Sequence, residues 1–272
     1  MNTKVLSFFS TCIYYISYTC GILIFRMANF FSNLFNKETP SVLGIDVGSS
    51  SIKIVQLKRK SGRAILETYG ELSLGPYAGG SIGEATNLPV EKIIEAMTDL
   101  LREKEVKIST NVCGIAIPFS SSLMAPIEMP SVPMKQLAEM VPLEARKYIP
   151  VPISEVTLDW SIIPPDRNPE AEDVDKKDMQ QKLEILLVAI HNSTVERYKE
   201  IITKSGLDAS FFEVEIFSTM RSVLDQEVTP VMIVDMGATS TKLYIVERGI
   251  LRGSHTVNRG SQGITVALSK SL

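Results

Sequence analysis

The sequence predicts an α/β fold of two related halves with a small α+β module set between them. Three observations predict it. After residue 40, β-rich runs alternate with helical periodicities. A strand–turn–strand pattern built on an aspartate occurs twice, at Leu43–Leu57 and at Val234–Val246. Between the two copies the runs follow the order β-α-β-β-α-β, which describes a split-βαβ module. Composition agrees: 272 residues that are 44% hydrophobic and 22% charged suit one large or two ordinary domains and exclude a disordered chain. A formal net charge of −3 supplies no basic field, so no nucleic-acid partner is expected. Cys12, Cys20 and Cys113 cannot all pair, and with only His191 and His255 no zinc-site spacing arises.

The elements follow in order. Val5–Phe25 carries no charge and is long enough to span a bilayer, for which about twenty apolar residues suffice. It reads either as a membrane segment or as residues ahead of a misplaced start, with Met27 as the natural one. Phe30, Phe31, Leu34 and Phe35 form one apolar helical face, either an interfacial foot on a membrane or a short helix packed on its own domain. Val42–Val47 and Ser51–Leu57 are strands joined by the small-residue turn Gly48-Ser49-Ser50, and Arg63–Leu72 is a third. Asn87 and Pro89 open a helix whose apolar residues Val90, Ile93, Ile94, Met97, Leu100 and Leu101 keep helical spacing. Asn111–Ile117 is a strand, with Cys113 a buried small hydrophobe.

Leu123–Met129 opens the module. Ser131-Val132-Pro133 caps a helix toward Tyr148, which Pro142 is expected to kink or break. Glu155–Ile163 and Leu183–His191 are strands joined by a solvated loop over Pro164–Lys182, with Trp160 in the core. Met124, Met129, Met134 and Met140 serve as core filling, or else as an adaptable peptide surface. Ser193 caps a helix to Lys204, and Asp208–Phe212 is the module's last strand. Then come a helix over Glu215–Leu224, the strands Val231–Asp235, Lys242–Val246 and Leu251–Val257, and a helix starting near Ile264.

The twin hairpins carry the chemistry. Each has an apolar strand ending in Asp, one residue, Gly, a run of small and hydroxyl residues, and a Lys on the returning strand. Glycine lets a phosphate approach the backbone. The amides and hydroxyls that follow, Ser49, Ser50 and Ser51 in one copy and Gly237, Ala238, Thr239, Ser240 and Thr241 in the other, can donate to phosphate oxygens as a nest does. Two such loops face to face would grip a polyphosphate. Asp46 and Asp235 would hold Mg²⁺ through water, which that ion releases reluctantly, and Lys53 or Lys242 would neutralise phosphate charge. No P-loop and no dinucleotide-binding glycine fingerprint occurs.

The pair LGIDVGSSSIK and DMGATSTK resembles the phosphate hairpins of the actin, Hsp70 and sugar-kinase superfamily. Together with Glu128–Trp160 and Val214–Val223, it is similar to the PilM family of type IV pilus assembly proteins, relatives of the division protein FtsA, over roughly Ser41 to Leu272. The resemblance implies actin-like (ribonuclease H-like) lobes carrying the inserted α+β module of that group. The segments would be an N-terminal hydrophobic stretch (1–40), the first part of lobe 1 (41–120), the inserted module (121–212), a return to lobe 1 (213–229) and the start of lobe 2 (230–272). It implies ATP with Mg²⁺ as cofactors. Asp46, Gly48, Ser49, Ser50, Ser51 and Lys53 would line the first phosphate loop, and Asp235, Gly237, Ala238, Thr239, Ser240 and Thr241 the second. Gly260 and Ser261 would form the glycine-rich entry to the adenosine side.

The function so implied is a cytoplasmic assembly platform at the inner face of the inner membrane. It would bind the N-terminal tail of a PilN-like inner-membrane protein in a groove involving the module, within the pilus assembly complex, with homo-oligomers allowed. The alternatives are an FtsA-like membrane-associated filament or division protein, and an ATPase or sugar-kinase-like phosphotransferase. For hydrolysis, Glu213 and Glu215 are the only water-positioning candidates, and acids at a helix start are already favoured by the helix dipole. The family extends past Leu272, so a truncated second lobe is expected, with nucleotide binding weakened or lost, and residues 1–26 have no family counterpart.

Overall fold

The computed structural model describes residues 41–163, 182–224 and 229–272. The apolar span Val5–Phe25, the Phe30–Phe35 face and all of the expected loop but Lys182 lie outside the described residues. Among the described residues no helix is long and apolar enough to cross a membrane.

The chain forms β1 (Val42–Val47), β2 (Ser51–Lys60), β3 (Arg63–Ser73), α1 (Val90–Arg102), β4 (Val112–Ile117), β5 (Ser122–Pro130), α2 (Met134–Ala145), β6 (Val156–Ile163) and β7 (Lys182–His191). There follow α3 (Asn192–Lys204), β8 (Asp208–Val214), α4 (Glu215–Val223), β9 (Val231–Met236), β10 (Thr241–Glu247), β11 (Ile250–Val257) and α5 (Ser261–Ser271). They divide into two compact units, one of residues 41–118 with 197–272 and one of residues 119–196.

The first unit holds two sheets. The larger has the order β3-β2-β1-β4-β8, with β1, β2 and β3 antiparallel and β4 and β8 parallel to β1. Alternation along β1 buries Leu43, Ile45 and Val47 on one face and leaves Asp46 on the other. The spacing read for α1 holds: Ile93, Ala96, Met97 and Leu100 are buried. Cys113 is fully buried, and burial pushes its thiol up to about 12. The smaller sheet has the order β11-β10-β9, antiparallel throughout. Its tight turn at Arg248 and Gly249 takes φ 50° and 74°, positive at both positions as a two-residue hairpin of matching twist requires.

β8 departs from expectation. Read from sequence as the module's last strand, it pairs with β4 in the larger sheet. The reason is shape: a Cβ on Gly114 would fall 2.1 Å from the Phe211 ring, so the missing side chain is the seat for that ring. Ser210 Oγ also donates to the Cys113 carbonyl at 2.9 Å.

The second unit is a three-stranded antiparallel sheet, β5-β7-β6, covered by α2. Leu137, Val141 and Ala145, spaced four apart, press on Ile127, Met129, Ile185, Leu187 and Ala189, and Trp160 packs against the same core. Of the four methionines, Met129 is buried and Met140 packs on this core, whereas Met134 is exposed. Of the expected kink or break at Pro142, the break does not occur: α2 continues through it to Ala145. A proline inside a helix costs about 3 kcal/mol, whereas burying one large aliphatic side chain contributes about 1.5–3 kcal/mol, so the packed stripe on both sides of Pro142 outweighs it.

Candidate functional site

The two aspartate hairpins have the same local structure. In the first, Gly48 N donates to Ser51 O at 3.0 Å; in the second, Gly237 N donates to Ser240 O at 2.9 Å. A Cβ on either glycine would sit 3.2 Å from that same carbonyl. Asp46 lies across from Lys53, and Asp235 across from Lys242, in matching register. The repeat in sequence is therefore a repeat in backbone geometry.

The loops face each other within the first unit. Ser49 Oγ lies 3.4 Å from Thr239 Oγ1, although 190 positions separate the two residues in the chain. Asp46 is half-buried, and its carboxyl is held above the usual carboxylate range, first by desolvation, then by the negative charges of Glu215 and, less strongly, Asp235. Lys53 and Lys242 act in the opposite direction. Both aspartates thus belong to one electrostatic neighbourhood.

Each loop is pinned from behind. On the first, Leu74 N donates to Ser50 O and Thr86 N to Ser49 O, both at 2.8 Å. On the second, Ser261 N donates to Gly237 O at 2.9 Å and Gln262 N to Ala238 O at 3.2 Å. Gly260 is essential to that seat, because a Cβ there would lie 2.4 Å from the carbonyl oxygens of Gly237 and Ala238. Gly260 and Ser261, expected at the entry to the adenosine side, lie against the second hairpin loop, and the docking starts α5 at Ser261, three residues before the expected Ile264. Ala85 N also donates to Gln262 Oε1 at 3.3 Å, linking the two pinning segments.

The remaining candidates have distinct surroundings. Ser51 Oγ donates to Glu71 Oε1 at 2.8 Å, so its hydroxyl is engaged behind the loop, and Lys53 Nζ stands 3.8 Å from the same carboxylate oxygen. Ser49 and Ser50 remain partly accessible, as do Ala238, Ser240 and Thr241, whose hydroxyl donates to Arg259 O at 2.8 Å. Glu213 is the next-to-last residue of β8 and pairs with Arg221. Glu215 begins α4 and meets Lys242 Nζ at 2.5 Å, while Lys242 also stands 3.7 Å from Asp235 Oδ2. Glu71, Thr86 and Gln262 were not singled out from sequence. The Lys53–Glu71 pairing had no signal there either, because the β2–β3 register that sets the two residues opposite each other shifts between Gln56 and Leu57.

The donor set fits a hydrated magnesium ion. Among the described residues no cluster of three or more His, Cys, Asp or Glu side chains is arranged to ligate a metal directly. Asp46 nevertheless sits where neighbouring carboxylates oppose its ionisation, and a divalent cation would relieve that repulsion. Mg²⁺ keeps most of its waters, so two carboxylates at its outer shell suffice.

The family model for the type IV pilus assembly protein PilM matches residues 44–265. A solved PilM–PilN type IV pilus biogenesis complex aligns with a TM-score of 0.66 at 21% identity, covering 85% of this chain and 65% of that one. The chain therefore spans just under two thirds of that relative's length. The cytoplasmic domain of EpsL, an inner-membrane component of the type II secretion system of Vibrio cholerae, aligns at 9% identity and TM-score 0.48, covering 84% of this chain and 74% of that one. The ethanolamine utilization protein EutJ from Carboxydothermus hydrogenoformans aligns at 12% and 0.46, covering 85% and 57%. The chain belongs to the PilM family, and its fold is actin-like.

Proposed function

We propose that this PilM-family chain is a nucleotide-binding assembly protein of the type IV pilus, closing its two hairpin loops on Mg²⁺–ATP and engaging the N-terminal tail of a PilN-like inner-membrane protein. The observation that carries the nucleotide half is the pair of superimposable loops meeting at Ser49 and Thr239, 3.4 Å apart. One loop alone is an ordinary turn; two that converge bring amide and hydroxyl donors from remote parts of the chain to one place, where a phosphate group would meet both sets. The accessible amides and hydroxyls of Ser49, Ser50 and Ala238–Ser240 would take the phosphate oxygens. Asp46 and Asp235 would orient the hydrated Mg²⁺, which supplies charge neutralisation when bound.

Slow turnover suits this geometry. Hydrolysis needs a carboxylate positioned on the attacking water. Glu213 is paired with Arg221, and Glu215 is held in the first turn of α4, where the helix dipole favours an acid. A platform that reads nucleotide state would then have lobe contacts that differ between ATP and ADP, and partner affinity that follows them. The PilN-like partner is supported by the solved PilM–PilN complex, and it would hold the protein at the inner face of the inner membrane, in the cytoplasm.

Calorimetric titration of Mg²⁺–ATP tests the site. Asp235→Ala is expected to weaken binding at least about 100-fold, near 2.7 kcal/mol. Unchanged affinity in that variant would count decisively against the site. The partner half is tested by fluorescence polarisation with a synthetic PilN-type tail peptide; equal affinity with and without Mg²⁺–ATP would remove the coupling.

A further inference from the structure

We propose that Lys242 is the phosphate sensor of this cleft: a positioning residue that ties the second hairpin to α4 through Glu215 and is drawn off that carboxylate when a polyphosphate enters. The inference rests on the nucleotide reading above and adds a device that regulates the same site.

The geometry separates Lys242 from its sequence twin. Lys53 is more than half exposed and stands 3.8 Å from Glu71, its neighbour on the adjacent strand of the same sheet. That pair is a surface contact of little energetic weight. Lys242 has only 14% of its side chain accessible and Glu215 only 19%. Their 2.5 Å contact runs from β10 of the smaller sheet to the first turn of α4, which leaves the larger sheet at the end of β8. It is therefore a charged strut between the two sheets that carry the two phosphate loops. The 3.7 Å approach of Lys242 to Asp235 keeps the same ammonium within reach of the second loop's aspartate.

The charges set the direction of the switch. Glu215 and Asp235 both act on Asp46, and Lys242 counters them while standing within reach of Glu215 and Asp235. A polyphosphate carries more negative charge than one carboxylate, and the attraction scales with that charge. A lysine ammonium on a flexible stem can follow it. Glu215 does not lose all support when Lys242 leaves, because it occupies the first turn of α4, where the helix dipole favours an acid. A polyphosphate can shift the strut only by binding Lys242 better in the released arrangement, so the exchange must appear as thermodynamic coupling between Lys242 and Glu215.

The test is a double-mutant cycle on the full chain with Glu215→Gln, Lys242→Met and both, read by Mg²⁺–ATP titration and by ligand-free melting temperature. Lys242→Met should weaken ATP binding at least about tenfold, and Glu215→Gln should tighten it several-fold by freeing the ammonium. The gain from Glu215→Gln should vanish in the Lys242→Met background. An equal gain in both backgrounds would mean simple removal of a negative charge and would overturn the sensor. If Lys242→Met does not fold, Lys242→Arg replaces it. The bidentate guanidinium should grip Glu215 and weaken ATP binding, and adding Glu215→Gln should restore it; failure to restore overturns the proposal. Absence of ATP binding by the unmodified chain would sink the nucleotide reading and the sensing role together. The strut itself is judged separately by the melting cycle, where strictly additive losses from the two single substitutions would refute it.

Discussion

The two hairpins are alike in backbone and opposite in surroundings. Leu43, Ile45 and Val47 on β1 are 0%, 2% and 8% exposed; their counterparts Met232, Val234 and Met236 on β9 are 59%, 56% and 55% exposed. In the first hairpin the far edge of β1 pairs with β4, whereas β9 ends the described part of its sheet. The lysines invert that order: Lys53 is the exposed one and Lys242 the enclosed one. A local motif thus sets turn and register twice over, and what it is worth in stability or in charge is set by what lies against it.

The largest effect that would sharpen this contrast is in the apolar faces. Ile45→Ala should cost about 2–5 kcal/mol, by lost burial and the cavity left behind. Val234→Ala should stay within about 0.5 kcal/mol, as an exposed substitution does. Chemical denaturation of both variants reads the difference, and equal losses would break the comparison.

A smaller effect concerns Asp46. Its folded carboxyl holds a proton more tightly than an ordinary aspartate, so the folded state binds the extra proton in the window between the ordinary value and the raised one. Stability is then lost as pH rises through that window and does not return above it. Asp46→Asn should melt at a higher temperature than the unmodified chain at neutral pH without Mg²⁺, and should show a shallower decline from acid to neutral pH. A steeper decline in the variant would contradict the charge crowding around Asp46.

The smallest contrast is expected to be none. Gly48→Ala and Gly237→Ala each bring a Cβ 3.2 Å from an equivalent carbonyl, and both glycines lie outside the positive-φ region. The two stability changes should agree within about 0.5 kcal/mol. A larger gap would show that the loops, though alike in hydrogen bonding, differ in how freely they yield.

Much of the site was legible because it is local. Asp, Gly and the small hydroxyl residues between two β-rich runs dictate a tight turn, and the same run recurring at Val234–Val246 dictates a second. The stripe of α1 was equally plain, since helical spacing is written within a dozen residues. Long-range relations were not legible. β8 belongs with β4 because Phe211 needs the space over Gly114, a fit between residues nearly a hundred positions apart. α2 continues through Pro142 because its buried stripe finds a sheet to press on, which outweighs the local penalty. That Gly260 also seats against the carbonyls of Gly237 and Ala238 was not legible, because it depends on which backbone approaches it.

By itself, then, the amino-acid order determined two aspartate hairpins with small-residue turns and the alternation of strands and helices around them, because turns and amphipathic periods are settled by neighbours in the chain. Only the tertiary structure decided that the loops meet at Ser49 and Thr239, that Lys242 reaches from its sheet to α4 whereas Lys53 stays on its own sheet, and that Ser51 turns to Glu71. Those outcomes depend on distances between residues remote in sequence, and electrostatics and close packing act through distance in space.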